Sequence, residues 1–522
     1  MAGGGMDVGE GYSSMMGLMY VFNLIVGTGA LTMPSPIANA GWLLSLIILV
    51  ILAFMSFVTV TFVTESMAAA NAMVHSHTVR HLKKVMKTED VGTEDSSQQL
   101  VVSLEEQEHF LTDEVITNSL ENEKVPLLLS NSVDTISETS AEYFNITERI
   151  EMGKMALLFF NRAGVNIFYL CIAVYLYGDL AIYAAAVSKS LRDVSCTYSP
   201  KEAFCNDTLN STVQCWGNLD VSRGDAYRIF VAGFLLFLGP FTFFNVQKTK
   251  YLQIFTTLMR WLAFSTMIIL AATALAKGKG KGHPPIANIY GVPNLFGVCV
   301  YSFMCHHSLP SLITPIKNKS TLFRLFVADY LLILLFYVLL SFTGIFAFEH
   351  PNSLYTLNFE PQNCNSSSTG ESIIPENFAF LRYFLALFPV FTLSTNFPII
   401  AITLRNNLKS VCLKDNKRYS FFVDRILFPL LAIIPPIAIA LVTEDLTVLV
   451  GVTGSYAGAA IQYVVPALLV YFARKHILAT LGLGVKNKHA SPFRSTAWIV
   501  FVLTWAVLCV IFVTVNYFLP KK

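Results

Sequence analysis

Charge is what this 522-residue chain has least of. Asp, Glu, Lys and Arg make up 13% of it, about half the share of roughly 25% usual in soluble proteins. The 36 basic and 34 acidic residues leave a net charge of +2, so no basic field exists to hold nucleic acid. Met1 to Ser14 contains neither Lys nor Arg, which excludes the positive n-region of a secretory signal; Met1-Ala2 is no myristoylation start. No Walker-type glycine loop and no HExxH spacing occur. Gly278, Gly280 and Gly282 alternate with lysines, but without the strand and helix that a phosphate loop needs. Lacking a metal, nucleotide or hydrolytic constellation, the sequence argues against an enzyme and implies no cofactor.

What is present is apolar: 54% hydrophobic residues and a mean hydropathy of +0.56. A helix needs about 20 such residues to cross a hydrocarbon core of about 30 Å. Eleven segments qualify, at 14–38, 42–70, 157–188, 226–246, 250–276, 292–316, 323–348, 377–404, 422–443, 446–472 and 496–518. They are continuous rather than alternating runs, which excludes a sheet barrel. The fold class is an all-α polytopic membrane protein. A short cytosolic tail, 1–13, precedes two transmembrane helices, 14–75. Residues 76–152, acidic and rich in Ser and Thr, read as a mostly disordered cytosolic loop, with Thr147 capping a third helix that begins in 148–158. Residues 153–522 carry the other helices, with outer loops at 189–225, 277–291 and 349–376.

Lys and Arg concentrate in loops on one side, from Lys248 and Lys250 to Lys486, Lys488 and Arg494, and are absent from 349–376. The positive-inside bias therefore places the N-terminus in the cytosol, although Lys277, Lys279 and Lys281 run against it. The outer loops hold Cys196, Cys205, Cys215 and Cys364, whose pairing the sequence does not choose. They also hold glycosylation sequons at Asn206, Asn210 and Asn365. Two further sequons, at Asn145 and Asn318, fall on the cytosolic side and are expected to stay bare. Cys171, Cys299, Cys305, Cys412 and Cys509 read as free thiols.

The first and sixth segments are poor continuous helices. One reads Asn23-Leu-Ile-Val-Gly27-Thr28-Gly29-Ala-Leu-Thr-Met-Pro34; the other clusters Ser302, Cys305, His306, His307 and Ser308 ahead of Pro310 and Pro315. In lipid a freed backbone group must be satisfied by protein or by a water-lined cavity. Two interrupted segments standing five apart point to a transporter site inside a five-plus-five inverted repeat, with one helix appended.

The pattern Asn-x-x-x-Gly-x-Gly-x-Leu-x-x-Pro over 23–34, followed by Asn39-Ala-Gly41, resembles the first helix of the amino acid/auxin permease family, within the amino acid–polyamine–organocation superfamily. Phe303-Met-Cys-His306-x-Ser-Leu-Pro310 is similar to the sixth helix of its sodium-coupled branch. The strings 22–34 and 396–401 are closer still to one vertebrate branch of the family. The resemblance implies a leucine-transporter-type fold and secondary transport. It gives Gly27, Thr28 and Gly29 to a substrate carboxylate, with Ser302 and Phe303 facing it; His306, at the same break, is read from its own position as a further substrate-site residue. The resemblance gives Asn23, Ser394 and Thr395 to a sodium ion, although Asn396 departs from the apolar residue expected there.

Asp179 lies within the third span, where a carboxylate by default relays a proton or pairs an ion; His306 is a second titratable candidate. Glu65, Asp329 and Arg382 read as interfacial. In the acidic loop, Glu123-Lys-Val-Pro-Leu127-Leu128 is an acidic dileucine of the kind clathrin adaptors read, and Tyr143-Phe-Asn-Ile146 fits a tyrosine signal. The expectation is an endosomal or lysosomal carrier, with the plasma membrane as alternative address. It takes an amino-acid-like solute with H⁺ or Na⁺ by alternating access. The rival reading is a solute-sensing scaffold that transports little.

Overall fold

The structure, a computed structural model, describes residues 13–89, 144–198, 211–217, 219–243, 250–359, 379–413, 420–481 and 486–518. Among these, nine helices are long and apolar enough to cross a bilayer: Trp42–Ser76, Arg162–Ser195, Arg223–Phe243, Phe255–Ala276, Lys319–Ala347, Phe380–Cys412, Arg425–Val442, Leu446–Leu481 and Thr496–Val515. Each falls on one of the expected segments. The two remaining segments are the interrupted ones, and the chain breaks in both. The first becomes α1 (Ser14–Ile25), α2 (Thr28–Thr32) and α3 (Pro34–Ala40). The chain is an all-α polytopic membrane protein.

After α4 (Trp42–Glu89) and a short α5 (Met152–Phe159) comes α6 (Arg162–Ser195). The expected Thr147 cap is not used: Glu151 precedes α5, and the Asn161 side chain caps α6 by accepting from Gly164 N at 2.9 Å. Ser222 starts α7 (Arg223–Leu238) by accepting from Asp225 N. Then follow α8 (Lys250–Ala276), α9 (Val292–Ser302), α10 (Leu309–Ile313) and α11 (Leu322–Ala347). The chain continues through α12 (Ala379–Cys412), α13 (Phe428–Val442), α14 (Leu446–Thr453), α15 (Val465–Leu481) and α16 (Thr496–Phe518). A hairpin of β1 (Gln214–Trp216) and β2 (Leu219–Ser222), absent from the sequence reading, joins α6 to α7. It is tied to α6 by a Cys196–Cys215 disulfide, one of the three pairings left open. The five cysteines expected free are free, with Cys412 exposed rather than packed.

Burial sorts the helices. The apolar window of α6 is 72% buried and that of α16 only 22%, so α6 is a core helix and α16 lies at the rim. α6 packs along α12 and α13, α4 along α15, and α8 along α11. The broken α9 crosses α14 closely: a Cβ at Gly297 would stand 2.0 Å from Gly451 O, so only glycine permits that approach.

Three charged residues expected at interfaces are buried instead. Glu65 accepts from Arg474 Nε and Nη2, both at 2.8 Å, and from Ser491 N at 2.9 Å, because the segment before α16 folds back over it. Asp329 is fully enclosed beside Cys305 and Tyr330, and neither of its oxygens has a partner among the described residues. The start of α1 covers that end of α11, with Ser14 Oγ 3.3 Å from Thr321 Oγ1. Arg382 is buried too.

Candidate functional site

At the first break α1 ends at Ile25. Val26 and Gly27 leave helical geometry, and the chain resumes as a single turn from Thr28. Departing from the helix frees carbonyls that the next turn would have bonded. Three of them are met from other helices. The Arg260 guanidinium, from α8, donates through Nη1 to Asn23 O and, at 3.1 Å, to Val26 O. The Tyr337 hydroxyl, from α11, shares its proton between Ile25 O at 3.0 Å and Ser302 O at 2.8 Å. Trp261 stacks on Phe22 with ring centroids 4.6 Å apart, fixing α8 against α1 beside Arg260.

The second break follows Ser302. Residues 303–305 are irregular, a short turn covers His306–Ser308, and α10 begins at Leu309 with Pro310 in its first turn. Here too partners come from a neighbouring helix, α4. Ser56 Oγ donates to Phe303 O at 3.2 Å, and Thr59 Oγ1 meets His306 Nε2 at 2.8 Å. The two breaks touch. A Cβ at Gly29 would lie 2.3 Å from Ser302 Oγ and 2.6 Å from Ser302 Cα, whereas a Cβ at Gly27 would meet nothing within 4 Å. Gly29 is thus the contact between the broken helices, and Gly27 borders open space.

Asp179 sits halfway along α6, buried, and its carboxylate accepts from the hydroxyl of Tyr301, the residue before Ser302. Tyr183, one turn on, lies beside Thr28 and Arg260. Gly27, Thr28, Gly29, Ser302 and Asp179 therefore converge on one region. Phe303 lies there by its backbone, while its ring packs between Tyr330 and Tyr337. His306 points to Thr59 on α4, and its Nδ1 has no partner among the described residues. The Asn23 side chain is buried, and neither of its amide atoms has a partner among the described residues. Ser394 and Thr395 are half-buried on α12, and Thr395 Oγ1 donates to Thr392 O of its own helix. Asn206, Asn210, Asn365, Glu123, Leu127, Leu128 and Tyr143 lie outside the described residues.

Sequence reasoning missed Arg260, Tyr301 and Tyr337. The signal for Arg260 was available: a charge well inside the apolar run 250–276 is by default functional. The tyrosines carried none, because Tyr is common throughout such helices.

Comparison with known proteins gives the same picture. The family described as transmembrane amino acid transporter protein matches residues 10–84 and 132–515. The chain is 53% identical over 527 residues to the Homo sapiens protein named transmembrane protein 104, covering 100% of this chain and 99% of that relative. It is 47% identical over 533 residues to the Drosophila melanogaster homolog of that name, covering 98% and 99%. It is 33% identical over 531 residues to that of Dictyostelium discoideum, covering 98% of each. Matched along most of its length, and broken where the glycine and proline motifs break it, the chain belongs to the transmembrane amino acid transporter protein family and is an amino acid transporter-like membrane protein.

Proposed function

We propose that the protein is a secondary carrier of amino acids or similar small solutes, working by alternating access and driven by a downhill proton. The observation that carries this reading is the contact of the two breaks. Gly29 lies against Ser302, Tyr337 bridges Ile25 O and Ser302 O, and open space borders Gly27. Paired broken helices are how membrane proteins expose backbone dipoles at mid-depth without an open cost to lipid. Backbone at Gly27, Thr28 and Gly29 takes the solute carboxylate, and Ser302 with Phe303 closes the opposite side. The two halves then rock about this site in a five-plus-five repeat. Asp179 carries the proton. Its hydrogen bond from Tyr301 ties its charge state to the residue adjoining the second break, so protonation alters what holds that break in place.

Residence on endosomes or lysosomes, set by adaptor recognition of Glu123, Leu127 and Leu128, would supply an acidic lumen as proton source. Replacing both leucines by alanine is expected to raise the fraction reached by surface biotinylation; an unchanged fraction overturns that address. The transport test uses purified protein in liposomes with a pool of radiolabelled amino acids and an imposed pH gradient. Uptake that rises with the gradient is the expected result. Ligand-induced thermal stabilisation without flux would instead mean solute sensing, and indifference to the gradient would remove proton coupling.

A further inference from the structure

We propose that Arg260 is a resident cation: its guanidinium occupies the carbonyl cluster at the first helix break, where a coupling sodium ion would otherwise bind, so that the carrier needs no sodium.

The C-terminal end of a helix carries partial negative charge from its unbonded carbonyls, and that end attracts a cation. In α1 those carbonyls belong to residues 23–26. Two of them, Asn23 O and Val26 O, accept from a single nitrogen of Arg260, and a third, Ile25 O, accepts from Tyr337. A sodium ion at this break would have to draw its ligands from the same oxygens, and the buried Asn23 amide, without a partner among the described residues, stands beside them. An ion entering there would meet a fixed positive charge. Arginine keeps that charge at any physiological pH, so the site cannot be vacated by titration.

The surroundings of Arg260 point the same way. It is 9% exposed, yet no carboxylate pairs with it among the described residues; its neighbours there include the uncharged phenols of Tyr183 and Tyr337. The nearby acid, Asp179, is engaged by Tyr301. A buried cation without a counter-ion is costly. Carbonyl dipoles offset part of that cost, which is the arrangement a bound sodium would have. Arg260 is therefore a positioning residue, holding α1 to α8 through the break. A sodium-coupled carrier has to release its cation to run the cycle; one that carries it on a side chain must be driven by something else. This bears on the proton-driven reading above and rests on it only for that consequence. The occupancy of the carbonyls does not depend on transport.

The test reads sodium on purified full-length protein with no solute present, so absence of transport would leave it untouched. Thermal midpoints are compared in sodium chloride and choline chloride, and ²²Na⁺ binding is measured alongside. Wild type and Arg260→Lys are expected to bind no sodium and to show the same midpoint in both salts. Arg260→Ala vacates the carbonyls and should gain sodium binding, with a midpoint about 2–4 °C higher in sodium than in choline. Sodium binding or sodium stabilisation in wild type overturns the proposal, as does a folded Arg260→Ala protein indifferent to sodium. If Arg260→Ala fails to fold in either salt, Arg260→Lys decides against Arg260→Gln. Charge retained with stability and charge lost without it supports the proposal; equal loss in both overturns it.

Discussion

At the scale of single residues the two glycines of the first break separate. Both read alike in the sequence, as helix-breaking positions that offer backbone to a substrate carboxylate. The structure gives them opposite duties, since a Cβ at Gly29 collides with Ser302 and one at Gly27 meets nothing within 4 Å. Gly29→Ala should therefore push the broken helices apart, at the usual overpacking cost of about 1–3 kcal/mol or more, read as a lower thermal midpoint. Gly27→Ala should leave the midpoint unchanged and weaken solute binding, because the new methyl group enters the open space. A drop in stability at Gly27 equal to that at Gly29 would contradict the assignment. Asp179→Asn keeps an oxygen for the Tyr301 hydroxyl but cannot carry a proton. In liposomes it should lose the response to a pH gradient while retaining exchange of solute. The glycines were legible because they lie together in sequence. Arg260 and Tyr337 meet the same break from 237 and 312 residues away, and no local pattern encodes such a contact.

Whole elements show where hydropathy reading works and where it stops. Each run that crosses in one piece was found, because a continuous apolar run has only one economical solution in lipid. In the sequence the 486–495 segment is simply a basic loop. It is a strap over the middle of α4: Arg474 holds Glu65 through two bonds of 2.8 Å, Ser491 N adds a third, and Thr61 Oγ1 meets Ser491 Oγ at 2.7 Å. Phe493 packs edge-on against Phe54, Phe57 and Trp498. Removing one partner from a fully buried ion pair costs about 3–5 kcal/mol. A quarter of the Arg474 side chain is exposed, so Glu65→Gln is expected to cost roughly 2–3 kcal/mol and to open the strap to limited proteolysis. Within the strap, burial, and then Lys319 and Lys488, hold His489 down at about 4 from the usual 6.5. Above pH 6.5 the released and docked straps are both neutral at His489, and docking pays nothing. Between 6.5 and 4 the released strap takes a proton that the docked one refuses, so stability falls as pH falls. His489→Gln should flatten that part of the midpoint–pH curve; an unchanged curve would mean that the strap is already loose.

On the scale of the molecule the orientation rests on the distribution of Lys and Arg, and the sequons can test it because the structure removes the usual ambiguity. A bare sequon is uninformative if its Asn is buried. Asn145 and Asn318 are both exposed, and although the Asn318 side chain accepts from Ser320 N at 3.2 Å, neither is walled off. If the loops carrying them faced a lumen, a transferase could reach them. With the basic loops in the cytosol, neither should carry a glycan, whereas Asn206, Asn210 and Asn365 should. The Cys196–Cys215 disulfide lies on the same connection, between α6 and α7, as two of those three sequons, and disulfides form on the oxidising side. Bond and glycans must therefore agree on one face of the membrane. Five single Asn→Gln variants, each compared before and after glycosidase digestion, decide it. Loss of a glycan in Asn206→Gln, Asn210→Gln and Asn365→Gln, with no change in Asn145→Gln or Asn318→Gln, fixes the acidic loop and the dileucine on the cytosolic side. A glycan at Asn145 or Asn318 would turn the molecule over, place the disulfide in a reducing compartment, and remove adaptor recognition of Leu127 and Leu128 along with the proton source it was meant to reach.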